Sequence, residues 1–133
     1  MSLGACELRV NLPSTLEAIE GFCREFRAWR TGNDEGPGAF DAELLLREAL
    51  TNSVMHGCPN DPDKHICCVV RAKKGRLLIL VRDEGTGFNW RAAWDRDATI
   101  SDTSGRGISI FRHYANQVRF NPEGNTVTLL KRS

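Results

Sequence analysis

The fold is decided by residues 65–82, whose sequence is HICCVVRAKKGRLLILVR. Two runs rich in aliphatic and β-branched residues, at positions 65–72 and 76–82, predict two strands because such side chains favour extended backbone. Between the runs, Lys73, Lys74 and Gly75 form a short polar link of the kind that closes a β-hairpin. This stretch therefore predicts an antiparallel pair of strands at the centre of the fold.

Outward from the hairpin, further strands and helices are predicted. Period-2 alternation predicts a strand over residues 7–12, and a short run predicts another over residues 125–131. Apolar residues at helical spacing predict three helices, over residues 16–29, 41–56 and 108–118. A hairpin with helices grouped around it predicts an α/β (α+β) two-layer sandwich, in which a mixed, mainly antiparallel sheet carries helices on one face.

Length and composition limit the class of protein. The chain has 133 residues, which is the size of one domain, so we assign residues 1–133 to a single domain. Hydrophobic residues at 41% and charged residues at 26% exclude a disordered tail, a collagen-like chain and a coiled coil. The 18 basic and 17 acidic side chains give a formal charge of +1, which argues against nucleic-acid binding by charge alone.

The sequence also bears on the location of the protein. No segment approaches the roughly 18 consecutive apolar residues of a membrane helix. The first ten residues lack the basic start and apolar stretch of a signal peptide. The five cysteines are odd in number and include no C-x-x-C pair. We therefore expect a cytoplasmic protein with free thiols and no membrane association.

The helix predicted over residues 41–56 carries polar side chains on an unexpected face. Glu48, Asn52 and His56 follow one another at intervals of four, so they form one stripe. Leu45 lies inside that stripe and places it on the core side, where a carboxylate and an amide need a partner. Asn52 can offer a carbonyl oxygen to Mg²⁺, and Glu48 can accept a proton. Alternatively, Glu48 is simply solvated and Asn52 bonds to backbone.

A first glycine cluster follows the hairpin. The strand predicted over residues 76–82 leads into Asp83, which is followed by Gly85 and Gly87. An aspartate at the end of a buried strand can accept a hydrogen bond from an exocyclic amine such as that of adenine. The glycines let the backbone approach a ligand closely. The alternative is an Asx turn that only closes the strand.

A second glycine cluster, Gly105, Arg106 and Gly107, leads directly into the helix predicted from Ile108. Glycines before a helix N-terminus expose free backbone N–H groups and the positive end of the helix dipole, which together bind phosphate. Arg106 would add its charge to a phosphate or face solvent, and an ordinary glycine turn is the alternative for the whole cluster. The spacing matches neither a Walker A loop nor a Rossmann fingerprint, so both of those nucleotide folds are disfavoured.

In chain order, these three features resemble the motifs of the GHKL (histidine-kinase-like) ATPase superfamily. Residues 48–57, EALTNSVMHG, look like its N box, residues 83–88, DEGTGF, like its G1 box, and residues 105–108, GRGI, like its G2 box. The form E-A-x-x-N-x-x-x-H-G and the short length are most similar to the bacterial anti-sigma-factor serine/threonine-protein kinases. The resemblance covers about residues 7–131 and implies a Bergerat-type ATP-binding fold.

The resemblance implies a role around ATP and Mg²⁺ for each matching residue. Glu48 would be the general base, Asn52 the Mg²⁺ ligand, and Asp83 the group that recognises the adenine amine. Gly85 would let the backbone approach the adenine. His56 also matches the motif, and we assign it a structural role beside Asn52.

The remaining matches concern the adenine, the phosphates and a lid. Gly87 would share the role of Gly85 at the adenine. Gly105 and Gly107, with Arg106 between them, would hold the phosphates of ATP. Residues 88–104 would form a flexible lid over the nucleotide.

The resemblance also implies a function, which is transfer of the ATP γ-phosphoryl group to a serine of a small anti-anti-sigma (STAS-type) protein. The same domain would hold a sigma factor in an inactive complex, without direct contact to nucleic acid. Two alternatives stay open: a nucleotide-dependent binding module without kinase turnover, and the ATPase domain of a larger two-component or phosphatase-fused regulator. Leu44 and Met55 are candidates for an exposed surface that contacts a partner or a second copy.

Overall fold

The residues that the computed structural model describes are 6–32, 39–57, 61–73, 75–85 and 106–132. They contain one five-stranded sheet with the strand order β1-β2-β3-β5-β4. The strands are β1 (Cys6–Pro13), β2 (His65–Lys73), β3 (Arg76–Asp83), β4 (Gln117–Phe120) and β5 (Thr126–Arg132). The helices are α1 (Leu16–Gly32), α2 (Ala39–Asn52), which continues into a π-helical turn (Ser53–Gly57), and α3 (Arg106–Tyr114).

Every strand pairing in this sheet is antiparallel. The predicted α/β two-layer sandwich is confirmed, and its sheet has no parallel pair among the described strands. The predicted hairpin is also confirmed, because β2 and β3 pair from Ile66 opposite Asp83 to Lys73 opposite Arg76. Gly75 lies in the hairpin turn with a φ of 77°, a left-handed conformation that glycine adopts without steric cost.

The hydrophobic core lies between one face of the sheet and the helices. Along β2 and β3 every second side chain is buried, since successive residues of a strand point to opposite faces. The sheet contributes Ile66, Cys68, Val70, Leu77, Ile79 and Val81 to the core, and the helices contribute Phe22, Phe26, Leu46, Leu50 and Phe111. Only this face of the sheet is packed against described helices.

Polar contacts fix α1 at its start and against α2. Thr15 caps α1, because its hydroxyl oxygen accepts a hydrogen bond from the N–H of Ala18 at 3.2 Å. Arg27 on α1 donates two hydrogen bonds to the carboxylate of Glu43 on α2, at 2.5 and 2.6 Å. This bidentate pair holds the pKa of Glu43 below its ordinary value. It also fixes the position of α2, the helix that carries Asn52.

Several predicted helix boundaries are wrong. The helix predicted over residues 108–118 ends at Tyr114, and the short strand β4 was missed. After the helix, the N–H of Asn116 donates a hydrogen bond to the carbonyl of Leu130 at 2.7 Å. From this residue on, the backbone hydrogen bonds are those of the sheet and no longer those of a helix. Pairing with β5 is a contact between distant segments, which helical periodicity does not reveal. The helix predicted from Asp41 begins at Ala39, with Asp41 in its first turn.

The turn between β4 and β5 is organised by one side chain. The Oδ1 atom of Asn121 accepts hydrogen bonds from three backbone N–H groups, those of Gly124 at 2.9 Å, Asn125 at 3.0 Å and Thr126 at 3.1 Å. Its amide nitrogen donates to the side-chain oxygen of Asn125 at 2.6 Å. Gly124 has a φ of 81°, which suits a glycine. The predicted turn over residues 121–124 is confirmed.

Replacing Asn121 by alanine should destabilise the protein. The substitution removes the acceptor of three backbone N–H groups, which lowers the free energy of unfolding by about 2 kcal/mol. Asn121→Asp keeps the acceptor oxygen and should lose less than half of that amount. Urea unfolding of the three proteins measures the difference, and equal midpoints for Asn121→Ala and the wild type would contradict this interpretation of the turn.

The structure also describes three of the cysteines. Cys23, Cys67 and Cys68 are free thiols. Burial raises the pKa of the Cys23 and Cys68 thiols, which keeps both protonated and poorly nucleophilic at neutral pH. Cys58 and the side chain of Cys6 lie outside the described residues. No described helix combines the length and the apolar character needed to cross a membrane.

Candidate functional site

A small pocket, with a volume of about 20 Å³ between its described lining residues, opens where β3 ends. It lies between α2 with its π-helical turn, the end of β3, and the turn that leads into β5. Its described lining residues are Ala49, Asn52, Ser53, Val81, Asp83, Phe111, Phe120, Gly124, Asn125, Thr126 and Val127. A mostly apolar lining with a few polar groups is the composition of a small-molecule site.

Asp83 is the acidic group of this pocket, and it is only 7% exposed. Its Oδ1 atom accepts a hydrogen bond from the N–H of Gly85 at 2.7 Å, and its carboxylate accepts another from the hydroxyl of Ser53. The N–H of Asp83 donates to the carbonyl of Asn125 at 3.0 Å. The Asx turn that was the alternative for this residue is therefore present, and it holds the carboxylate at the pocket wall.

The environment of Asp83 changes its acidity. Burial raises the pKa of the Asp83 carboxyl above its ordinary value, and the hydrogen bonds from Gly85 and Ser53 offset part of that effect. A desolvated carboxylate gains strongly from a further N–H donor, because little water competes for its oxygens. Titratable groups with shifted pKa values in clefts are often functional. These features make Asp83 the candidate recognition group of the pocket.

The polar stripe predicted on α2 lies at the boundary between core and solvent. Asn52, the last residue of α2, is partly exposed and lines the pocket. Glu48 lies one helical turn earlier, is also partly exposed, and is not among the described lining residues. Leu45 is fully buried beside the stripe. The side chain of His56 lies outside the described residues, so its predicted structural role is left as a prediction.

The π-helical turn after Asn52 was missed by sequence reasoning, which extended one α-helix to His56. The wider turn begins at Ser53, whose side chain is buried and bonded to Asp83. Turns of this kind inside helices are frequent at functional sites. One signal was available: Ser53 lies in an otherwise apolar arc, and a buried hydroxyl requires a hydrogen-bond partner.

The β4–β5 turn also forms part of the site, a role that the sequence did not predict. The side-chain amide of Asn125 donates to the carbonyl of Gly85 at 3.3 Å, across a separation of 40 residues in the chain. The two segments are also joined by the bond between the backbones of Asp83 and Asn125. No motif marks Asn125, because its role arises from a contact between distant segments.

The predicted phosphate-binding cluster is described only in part. Gly87, Gly105 and the predicted lid over residues 88–104 lie outside the described residues. Helix α3 begins at Arg106, two residues before the predicted start, so Gly107 lies in its first turn rather than before it. The N–H groups of a first helical turn have no partner within the helix and can bind an anion. The side chain of Arg106 is not described.

The described residues do not form a cluster of ligands for a metal that prefers nitrogen or sulfur. They contain no group of three or more His, Cys, Asp or Glu side chains that could hold a metal ion. The carbonyl oxygen of Asn52 at the pocket wall is a ligand of the type that Mg²⁺ prefers. Because Mg²⁺ keeps several waters and shares phosphate oxygens with its substrate, one side-chain oxygen fits such a site.

Comparison with known proteins gives one family and a consistent group of relatives. The sequence profile described as "Histidine kinase-like ATPase domain" matches residues 12–131. The chain is similar to proteins named anti-sigma F factor, at 26% identity in Shouchella clausii (strain KSM-K16), 30% in Geobacillus stearothermophilus and 32% in Geobacillus thermodenitrificans (strain NG80-2). Each alignment spans 98 residues and covers 68% of this chain and 67% of the relative.

Proposed function

The chain belongs to the histidine kinase-like ATPase domain family, and on that basis we propose that it binds ATP beside Asp83 and uses it to regulate a sigma factor. The names of its relatives, anti-sigma F factors, support the regulatory part of this proposal. The chemical step is transfer of the γ-phosphoryl group of ATP to a serine of a small anti-anti-sigma protein. The same domain holds the sigma factor in an inactive complex.

The observation that carries the proposal is the buried carboxylate of Asp83 in the wall of the pocket. Hydrogen bonds from the N–H of Gly85 and the hydroxyl of Ser53 orient this carboxylate. An adenine presents an exocyclic amine as donor, whereas a guanine presents a carbonyl oxygen at the same place. The ionised carboxylate would therefore select adenine, and the backbone of Gly85 is held beside that carboxylate by its hydrogen bond to Asp83.

The phosphates would extend from the adenine toward the first turn of α3. The free N–H groups around Gly107 and the positive end of the helix dipole suit their negative charge. Asn52 would hold Mg²⁺ through its side-chain oxygen. When bound, the ion supplies positive charge to the phosphate oxygens and makes the transferred group easier to attack.

Glu48 would act as the general base on the acceptor serine. The carboxylate accepts the proton of the serine hydroxyl while the serine oxygen forms its bond to the γ-phosphorus. The bond from that phosphorus to the bridging oxygen of ADP breaks, and ADP leaves with the negative charge. Glu48 is one helical turn from Asn52 and reaches solvent, where a protein substrate can approach it. Catalysis then consists mainly of positioning and charge neutralisation.

The test of the proposed function is transfer of labelled phosphate. The purified protein is incubated with γ-labelled ATP, Mg²⁺ and the small STAS-type protein encoded nearest to it. We expect label on a serine of that protein and ADP formation that requires it. Failure to label any serine, together with intact ATP binding, would reject the kinase and leave a nucleotide-dependent binding module.

Replacing Ser53 by alanine should weaken ATP binding about three- to tenfold. The change removes one hydrogen bond to the Asp83 carboxylate and leaves a side chain of similar volume in the buried position. The matched control is Thr51→Ala, which removes a hydroxyl from α2 at a residue outside the described pocket lining. Calorimetric titration with ATP measures both variants, and equal affinities for Ser53→Ala and the wild type would refute a positioning role for Ser53.

A further inference from the structure

The face of the sheet opposite the helices, called here the outer face, has an apolar centre. Val69 on β2 lies opposite Leu80 on β3, and Leu78 on β3 lies opposite Leu130 on β5. Leu78 and Leu80 are two residues apart and share this face. All four side chains are partly exposed, so they form one contiguous patch that no described helix covers. Such patches on a globular domain mark interaction sites.

One end of this patch carries a row of three cations. Lys73, Arg76 and Arg132 lie side by side on three neighbouring strands, and all three are exposed. None of them forms an ion pair with a described residue. Like charges placed directly opposite one another destabilise a sheet. The row concentrates positive charge at this end of the outer face, which suits a partner of opposite charge.

The other borders of the patch are also basic. Arg82 lies at the far end of β3, and Arg119 lies on the edge strand β4. On the opposite edge, Arg71 and Arg9 share the single carboxylate of Glu7, at 2.7 and 3.2 Å. Within the five strands, the outer face thus carries seven basic side chains and one acidic one, although the whole chain has a net charge of only +1.

We propose that the outer face docks an acidic amphipathic helix of a protein partner. Neighbouring strands are about 4.8 Å apart, so the patch from β2 to β5 is about 10 Å wide, which is the diameter of one α-helix. Leucine-like side chains of the partner helix pack on Val69, Leu78, Leu80 and Leu130. Its aspartates and glutamates meet the surrounding cations. This surface lies on the opposite side of the sheet from the pocket and does not depend on nucleotide binding.

Other occupants fit the surface less well. A second copy would bring two basic borders together, which is repulsive. Single-stranded nucleic acid is bound with aromatic stacking, and the outer-face positions of the described strands carry no Phe, Tyr or Trp. An acidic amphipathic helix complements both parts of the outer face, because its apolar side chains pack on the centre and its carboxylates pair with the basic border.

The experiment uses a fluorescein-labelled synthetic peptide of about 18 residues, long enough for a helix of about 27 Å. It carries leucines on one helical face and glutamates elsewhere. Two control peptides replace the glutamates by lysine or the leucines by serine. Binding is measured by fluorescence anisotropy with the wild type, with Arg76→Glu/Arg132→Glu, and with Arg119→Glu as a second variant at another border. Arg24→Glu, an exposed charge reversal on α1, is the matched control, and far-UV circular dichroism with a thermal melt verifies that each variant is folded.

We expect the acidic leucine peptide to bind the wild type and Arg24→Glu equally, and the double variant at least tenfold more weakly. Arg119→Glu should weaken binding by a smaller factor, and added salt should weaken binding to the wild type. The proposal is overturned if the peptide fails to bind, if the charge reversals leave its affinity unchanged, or if the lysine peptide binds as well. Tighter binding of phosphatidylserine vesicles or oligouridylate to this face, or its burial in a dimer of the wild type, would also overturn it.

Discussion

Replacing Glu48 by glutamine is expected to lower phosphoryl transfer to the partner serine by about 100- to 10,000-fold, the range for the loss of a general base. The amide has the shape of the carboxylate but cannot take the proton of the attacking hydroxyl. ATP affinity should be unchanged, because Glu48 is not among the described residues that line the pocket. A fall in kcat with unchanged nucleotide binding identifies a group that acts in the transition state. Single-turnover labelling of the partner, beside calorimetric ATP titration, measures both quantities.

Glu25→Gln is the matched control for this prediction, since it makes the same chemical change at an exposed position of α1. It should label the partner at the rate of the wild type. Labelling by Glu48→Gln at that same rate would show that Glu48 is not the base. If neither Glu48→Gln nor Glu25→Gln labels the partner, and both variants regulate the partner equally, the result would favour the nucleotide-dependent binding module over the kinase.

Replacing Asp83 by asparagine should weaken ATP binding about 100-fold, which corresponds to about 3 kcal/mol for a buried, charged hydrogen bond. The oxygen of the new amide can still accept from the N–H of Gly85, so the turn is kept. Its NH₂ group then faces the amine of adenine. Because both groups are hydrogen-bond donors, no hydrogen bond forms between them. The preference for ATP over GTP should shrink in the same variant, because guanine presents an acceptor there. Titration with both nucleotides measures this, and an unchanged ATP affinity would remove Asp83 from the recognition site.

The same substitution should leave stability intact or raise it at neutral pH. Burial raises the pKa of Asp83 in the folded protein above its unfolded value. The folded state therefore binds this proton more tightly, and the stability that the group contributes is fully present below its unfolded pKa of about 3.9 and is lost as pH rises through the folded pKa. The amide introduced by Asp83→Asn carries no charge, so the variant avoids that loss. Thermal melts should show its advantage at pH 7 shrinking as pH falls toward about 4. A large loss of stability at pH 7 would contradict this account.

Sequence patterns predicted the elements that follow from local periodicity. The hairpin was predicted because two apolar runs flank a short polar turn, and the fold class followed from it. The strand β4 was missed because its first two residues, Gln117 and Val118, were assigned to the end of the predicted helix. The segment becomes a strand only by pairing with β5. Element boundaries that depend on contacts between distant segments cannot be predicted from the local propensities of the residues.

The candidate site was predicted to a similar extent. The motifs indicated Asn52 and Asp83, and the structure brings both into the wall of one pocket. The contributions of Ser53 and Asn125 were missed, because one depends on a π-helical turn and the other on a turn distant in the chain. The assignment of roles to the glycines of the second cluster stays a prediction, since Gly105 lies outside the described residues.

The central claim, that this pocket recognises an adenine nucleotide through Asp83, is tested most directly by calorimetric titration of the wild-type protein with Mg·ATP and, in parallel, with Mg·GTP. The account predicts saturable binding of one ATP per chain and at least about tenfold weaker binding of GTP, because the Asp83 carboxylate accepts from the adenine amine and repels the guanine carbonyl. Absence of ATP binding, or equal affinity for the two nucleotides, would contradict it.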